Sequence, residues 1–389
     1  MGVSEMKCKN RLCKDKLVKQ WCKPLLVKQS CKILKIIMKP FKKQPVGRKT
    51  KPLAAVKKAI KTDKPESLDE ILKRAEMAID MFDYSLAQKY CQKALEIDAD
   101  NVRALELCGS LLMEVGMPEK AIQCFGRAIT LQPEQGYKKY FSVAQLLEGS
   151  DSVNCYLKGI EIAEKDDGAS NSGIHKEISS AYCSLSELYM TDLCFEDNAE
   201  SLCEQYVKKS IELDETNPEA YQSYANFLLV KDQKAEAIIQ LEKSLSIWFP
   251  QFQLIREGKA QGDPVEPCPV NYSARLTTVK LLVELERYET AIEILAGLLE
   301  EDDECVQTWY LLGWANFLQG DDFKGNARFY LKKSHEVNSK HPCGDEEMVK
   351  HIEELLNELN EGCEINEELE QDGDDEFEDV ETSDEEMEA

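Results

Sequence analysis

ILKRAEMAIDMFDYSLAQKYCQKALEIDAD, beginning at Ile71, and LELCGSLLMEVGMPEKAIQCFGRAITLQPE, beginning at Leu105, are two copies of one pattern. Small residues recur 34 positions apart: Ala75 with Gly109, Ala87 with Ala121, Ala94 with Ala128. A small side chain at a fixed point of each helix lets two helices cross closely. A period of this length marks one helix pair, which cannot bury its apolar face alone and stacks on the next. The expected object is an all-α solenoid that binds along a concave surface, not an enzyme with a catalytic cleft.

The 34-residue helix pair is the signature of the tetratricopeptide repeat (TPR). The array opens where Ser67 and Glu70 make a capping box. Repeats follow at 68–101 and 102–135, the second with Leu105, Gly109, Ala121, Phe125, Ala128 and Pro133 in phase. A third unit turns at Gly149-Ser150-Asp151 and puts Gly159 at the small position, before the acidic linker KDDGASNSG. The fourth is stretched, with TDLCFED between helices expected near 178–190 and 198–213. The fifth holds Tyr221, Ala225, Ala237, Leu241 and Ser244 in phase. Pro250, Pro264, Pro267 and Pro269 predict a loop insertion over 249–272. A sixth and a seventh unit follow, and EEMVKHIEELLNELNE is expected to cap the stack. The predicted organisation is a basic disordered extension over 1–65, a TPR superhelix of seven helix pairs plus cap over 66–361, and an acidic disordered tail over 362–389.

The net charge of −25 is unevenly spread. Residues 1–61 hold 19 Lys/Arg against 2 Asp/Glu, whereas the remainder holds 29 against 71. A field that negative selects cationic partners and repels nucleic acid and anionic membranes. The start lacks an apolar signal core, and no apolar run approaches the ~20 residues that span a bilayer. KPFKKQPVGRKTKP, from Lys39, is a candidate nuclear-import stretch. The basic segment could also fold back on the acidic face as an internal competitor. Thr382 and Ser383 in TSDEEME fit an acidophilic kinase site. The 15 cysteines include no CxxC pair, and Cys91, Cys108, Cys124, Cys183 and Cys203 fall on helix core positions. They read as small buried residues of a reducing compartment. His341 beside Cys343 is too little for a metal site. No phosphate loop, HExxH or GxSxG motif occurs, so neither catalysis nor a cofactor is expected.

The first helix of each TPR pair lines the concave face. Counting along the repeat places Glu106, Ser110, Met113 and Glu114 there, then Cys183, Glu187 and Met190, with Asp192, Glu196 and Asp197 in the adjoining loop. Glu219, Gln222, Asn226 and Leu229 follow from the fifth unit, and Tyr310, Trp314 and Phe317 from the seventh. Carboxylates interleaved with Met and aromatics suit an extended basic segment, through ion pairs and cation–π contacts. A clamp for the acidic C-terminus of a heat-shock chaperone would need Lys and Asn here. Only Arg103, Lys280 and Asn226 approach it, scattered over three units.

CSLSELYMTDLCFEDNAESLCE, from Cys183, resembles the corresponding segment of the dedicated assembly chaperones of ribosomal protein L4 (L-four). FSVAQLLEGSDSVNCYLKGIE and the tail string DGDDEFEDVE are also similar to that family. The resemblance covers 66–389 and leaves 1–61 outside. It implies a TPR protein that binds newly made L4, shields its long basic rRNA-binding loop and escorts it to the nuclear pre-60S ribosome. It implies a cytoplasmic and nuclear (also nucleolar) monomer, with nuclear import factors as further partners. A free basic loop binds any RNA, because counterion release drives such contacts nonspecifically. The residues alone leave two alternatives open: a generic TPR adaptor in a multiprotein complex, and a chaperone of histones or other basic proteins.

Overall fold

A computed structural model describes residues 66–166, 172–259, 268 and 270–361. The expectations for the basic extension, the import stretch, the acidic tail, Thr382 and Ser383 fall outside these residues. Among the described residues there are fifteen α-helices and no strand. They form two compact units that divide at Leu254/Ile255.

The first unit holds α1 (Leu68–Asp80), α2 (Tyr84–Ile97), α3 (Val102–Glu114), α4 (Pro118–Leu131), α5 (Lys138–Gln145), α6 (Gly149–Asp166), α7 (Ser172–Met190), α8 (Ala199–Leu213), α9 (Pro218–Val230) and most of α10 (Lys234–Arg256). The capping box that opens α1 is present in both directions: Glu70 N donates to Ser67 Oγ at 3.3 Å, and Ser67 N to Glu70 Oε2 at 2.9 Å. The small residues are required by what they touch. A Cβ on Gly109 would lie 2.6 Å from the Phe125 ring, and one on Gly159 2.6 Å from Phe141. The turns inside the pairs repeat as well. Met117 N donates to Leu112 O across Gly116 (φ +69°), as Asp83 N does to Ala78 O across Phe82 (φ +58°) and Gln233 N to Leu228 O across Asp232 (φ +60°). This left-handed helix end reverses the chain in a few residues.

The third pair is uneven, with eight residues in α5 and eighteen in α6. The turn expected at Gly149-Ser150-Asp151 is the first turn of α6, entered at Gly149 with φ +57°. The loop expected from residue 249 is also corrected, because α10 runs on to Arg256 with Pro250 inside it. Trp248 and Phe252, one turn apart, are almost wholly buried and meet edge-to-face at 5.7 Å. Burying two aromatics contributes more than the ~3 kcal/mol a helical proline costs.

The second unit holds α11 (Tyr272–Glu284), α12 (Tyr288–Glu301), α13 (Val306–Gln319), α14 (Lys324–Lys340) and α15 (Glu346–Glu361). Arg275, buried, donates through both terminal nitrogens to Glu301 at 2.5 and 2.7 Å and ties α11 to the end of α12. A Cβ on Gly313 would lie 2.6 Å from Leu331 Cγ, so α13 and α14 repeat the close crossing. The helix α15 buries Met348, Ile352, Leu355 and Leu359, one stripe at helical spacing.

Candidate binding surface

In the first unit the leading helices of successive pairs pack side by side, α1 against α3 and α7 against α9. The best defined stretch of that face lies on α7. Ile178, Ala181, Tyr182 and Leu185 turn into the core. Buried polar bonds then fix α7 to its neighbours. Ser179 Oγ donates to Ser210 O at 2.9 Å, and Ser210 Oγ to Ser179 O at 2.8 Å. Asn217 caps the start of α9 through its Oδ1, which accepts from Glu219 N at 3.0 Å, and its Nδ2 donates to Ser179 Oγ at 2.9 Å. Satisfied buried networks of this kind hold one geometry.

On this scaffold α7 and α9 present Glu187 and Glu219, both open to solvent. Surrounding protein raises the pKa of each carboxyl. Asp192 raises that of Glu187 further, and Glu187 that of Glu219. Asn226 and Leu229 on α9, and Met190 at the end of α7, are half-buried beside them in sequence. Cys183 and Gln222 do not reach the surface. Cys183 lies 3.1 Å from Ser210 Oγ, and burial, with Glu219 and Glu187 adding, pushes its thiol up to about 12. It packs as an inert small residue.

The loop after α7 is built rather than loose. Thr191 N donates to Glu187 O, and Leu193 N to Leu188 O at 2.9 Å. Asp192 Oδ2 accepts from Gly149 N at 3.0 Å and anchors the loop to the start of α6. Glu196 and Asp197 are exposed, as is Phe195 between Cys194 and Glu196, at 91%.

Beside the acidic pair is a cleft of about 370 Å³ that the sequence reading did not single out. Lys138, Ser142 and Gln145 of α5 form one wall, and Lys176, Ser180 and Ser184 of α7 the other. Phe141 and Tyr156 contribute aromatic lining. Lys138 Nζ pairs with Glu177 Oε1 at 3.0 Å across the cleft. A short α5 hid this wall, because eight residues give barely two turns in which to see a face.

Other predicted residues are already engaged. Glu106 lies 3.6 Å from the fully buried Lys139 Nζ, so it serves that ammonium. Ser110 Oγ donates to Glu106 O, Met113 is half-buried and Glu114 is exposed. Arg103 holds Glu76 through Nη2 at 2.8 and 3.0 Å. Lys280, in the second unit, is half-buried, and burial lowers its pKa.

The aromatic wall predicted on the seventh unit is corrected. Tyr310 and Trp314 are buried and stack on each other at 5.9 Å. Tyr310 Oη lies 2.8 Å from His351 Nδ1 of α15, and the Trp314 ring meets the same imidazole edge-on at 5.6 Å. The capping helix occupies the face that the repeat count had assigned to a partner. Phe317 remains half-buried.

Of the predicted cysteines, Cys91, Cys108 and Cys203 are buried and Cys124 is half-buried. Among the described residues no three His, Cys, Asp or Glu side chains gather where they could hold a metal ion, and no helix is long and apolar enough to cross a membrane.

Comparison with known proteins agrees with this architecture. The tetratricopeptide repeat model matches residues 72–101 and 102–135. A Schizosaccharomyces pombe protein described as a "probable assembly chaperone of rpl4" is 34% identical over 296 residues, spanning 71% of this chain and 84% of the relative. A protein of the same description from Emericella nidulans is 26% identical over 365 residues, spanning 82% and 90%. The solved structure of an assembly chaperone of RpL4 (Acl4, residues 1–338) superposes with a TM-score of 0.57 at 25% identity, covering 67% of this chain and all of that one. An all-α tetratricopeptide array with this degree of identity over most of its length belongs to the family of assembly chaperones of rpl4.

Proposed function

We propose that this protein is a dedicated chaperone of newly made ribosomal protein L4. It binds the client's basic rRNA-binding segment on the α7–α9 face and delivers it to the nuclear pre-60S ribosome. The observation that carries this reading is the pair Glu187 and Glu219, exposed on two leading helices packed side by side, where Glu187 raises the pKa of Glu219 and Asp192 that of Glu187. A Lys or Arg head entering between them removes their repulsion, so binding a cation and relieving the site are one event. Asp192, Glu196 and Asp197 extend the negative field, and the rest of the chain beyond residue 61 adds to it. Release follows when rRNA, a denser line of negative charge, competes for the same cationic groups.

On this reading the protein works by binding, without catalysis, cofactor or direct contact with nucleic acid or membrane. It acts as a monomer between cytoplasm and nucleus, including the nucleolus, and import factors join the loaded complex. Affinity purification from cells across a salt series, read by mass spectrometry, tests the reading. L4 should dominate and elute as salt rises. Dominance of histones, or of a multisubunit complex that resists salt, would replace it with general basic-protein shielding or an adaptor role.

A further inference from the structure

The cleft between α5 and α7 has the opposite chemistry to the acidic pair beside it. Two lysines, Lys138 and Lys176, line it together with Ser142, Ser180, Ser184 and Gln145. The Glu177 carboxylate pairs with Lys138 at 3.0 Å, and Lys176 is exposed. All these groups except the carboxylate can donate hydrogen bonds. In a chain this acidic, a donor-rich cleft on a partner-binding face would be misplaced if the ligand were uniformly basic.

We infer that this cleft is an anion subsite for a single carboxylate carried within the otherwise basic client segment. The inference rests on the chaperone reading and deepens it. The helix itself supplies the ruler. Ser180 and Glu187 are seven residues apart on α7, about 10 Å along its axis, and Lys176 and Glu187 about 16 Å. A ligand that serves both ends carries a carboxylate and a cationic head about 10–16 Å apart, or about three to five residues of extended chain. This requirement disfavours a nucleic acid. Its phosphates would run on from the lysines into Glu187 and Asp192, where like charges repel. A peptide with one Asp or Glu set among Lys and Arg meets each wall with the complementary sign, and the Phe141 and Tyr156 rings offer a surface for the methylenes between. Such a subsite fixes register, which uniform attraction between an acidic groove and a basic chain cannot do.

The test uses the full chain and short labelled peptides of Lys, Gly and Ser. Each carries one Glu, or Gln in its place, at varied distance from a Lys pair. The Glu peptide should bind wild type about three- to fivefold tighter than its Gln twin at spacings of about three to five residues, a modest ion-pair increment. Lys176→Glu, on an exposed position, should reverse that preference, and Ser180→Asp should do the same. A Gln peptide that binds as well as its Glu twin at every spacing would overturn the subsite. So would a uridine oligonucleotide that binds wild type and is lost in Lys176→Glu, since the cleft would then be a phosphate site. If no Lys-rich peptide binds the folded chain at all, the chaperone reading fails first, and the subsite fails with it.

Discussion

Two stretches of this chain occupy the same place in their repeats and have opposite fates. On α7 and α9 the outward positions of the leading helices stay open, and carboxylates crowd there. On α13 the position equivalent to Glu187 holds Trp314, and the one equivalent to Cys183 and Gln222 holds Tyr310; α15 covers both with His351. A repeat count gives the direction of a side chain but not what lies on top of it. A terminal helix that must shield the last apolar face takes the aromatics for itself, and carboxylates, costly to bury, stay exposed to solvent.

The closed region should give the largest effect. Trp314→Ala removes a buried indole that stacks on Tyr310 and is expected to cost about 3–5 kcal/mol. Thermal unfolding and hydrogen exchange would show it, with protection lost first over α15. If α15 kept its protection, the aromatics would not be what holds it.

The next contrast sets two glutamates against each other. Glu106→Gln leaves the buried Lys139 ammonium without its carboxylate and should destabilise by about 1–2 kcal/mol, since Glu106 itself is half exposed. Glu187→Gln should do the reverse, raising the melting temperature slightly while weakening binding of a basic peptide. Calorimetric scans of the two variants decide it. The same sign in both would mean that the two carboxylates play one role.

The smallest effect is a pH dependence. Glu187 and Glu219 have folded pKa values above the ordinary carboxylate value, chiefly because surrounding protein displaces part of their water and then through neighbouring carboxylates. The folded chain therefore takes up protons there more readily than the unfolded chain. Lowering the pH through the folded values relieves repulsion and favours the fold, while it removes the charges a cationic client pairs with. Affinity for a Lys-rich peptide should begin to fall at a higher pH than ordinary glutamates would require, and Glu187→Gln should move that onset down. An onset unchanged by the substitution would assign it to other groups.

The helix pairs were legible because the constraint that makes them is local. Gly109 must be small since a Cβ there would strike Phe125, and that requirement recurs at Gly159 and Gly313. That Glu187 and Glu219 face solvent was legible for the same reason, since repeat phase fixes direction. What escaped depended on contacts distant in sequence. Pro250 reads as a break until Trp248 and Phe252 are seen to be buried. Glu106 reads as free until Lys139, in the next pair, is found beneath it. The donor-rich cleft needed α5 and α7 together, and Tyr310 needed a helix 41 residues away from it in the chain.

On the proposed function, the α7–α9 carboxylates grip a basic client segment. Titrating the full chain with a peptide of the basic segment of L4 across a salt series tests it most directly, with the double variant Glu187→Lys/Glu219→Lys beside wild type. For wild type, log affinity should fall steadily with log salt. The double variant should lose at least about tenfold in affinity at low salt, roughly 1.4 kcal/mol, together with much of the salt dependence. Equal affinity in the two proteins, or binding indifferent to salt, would contradict it.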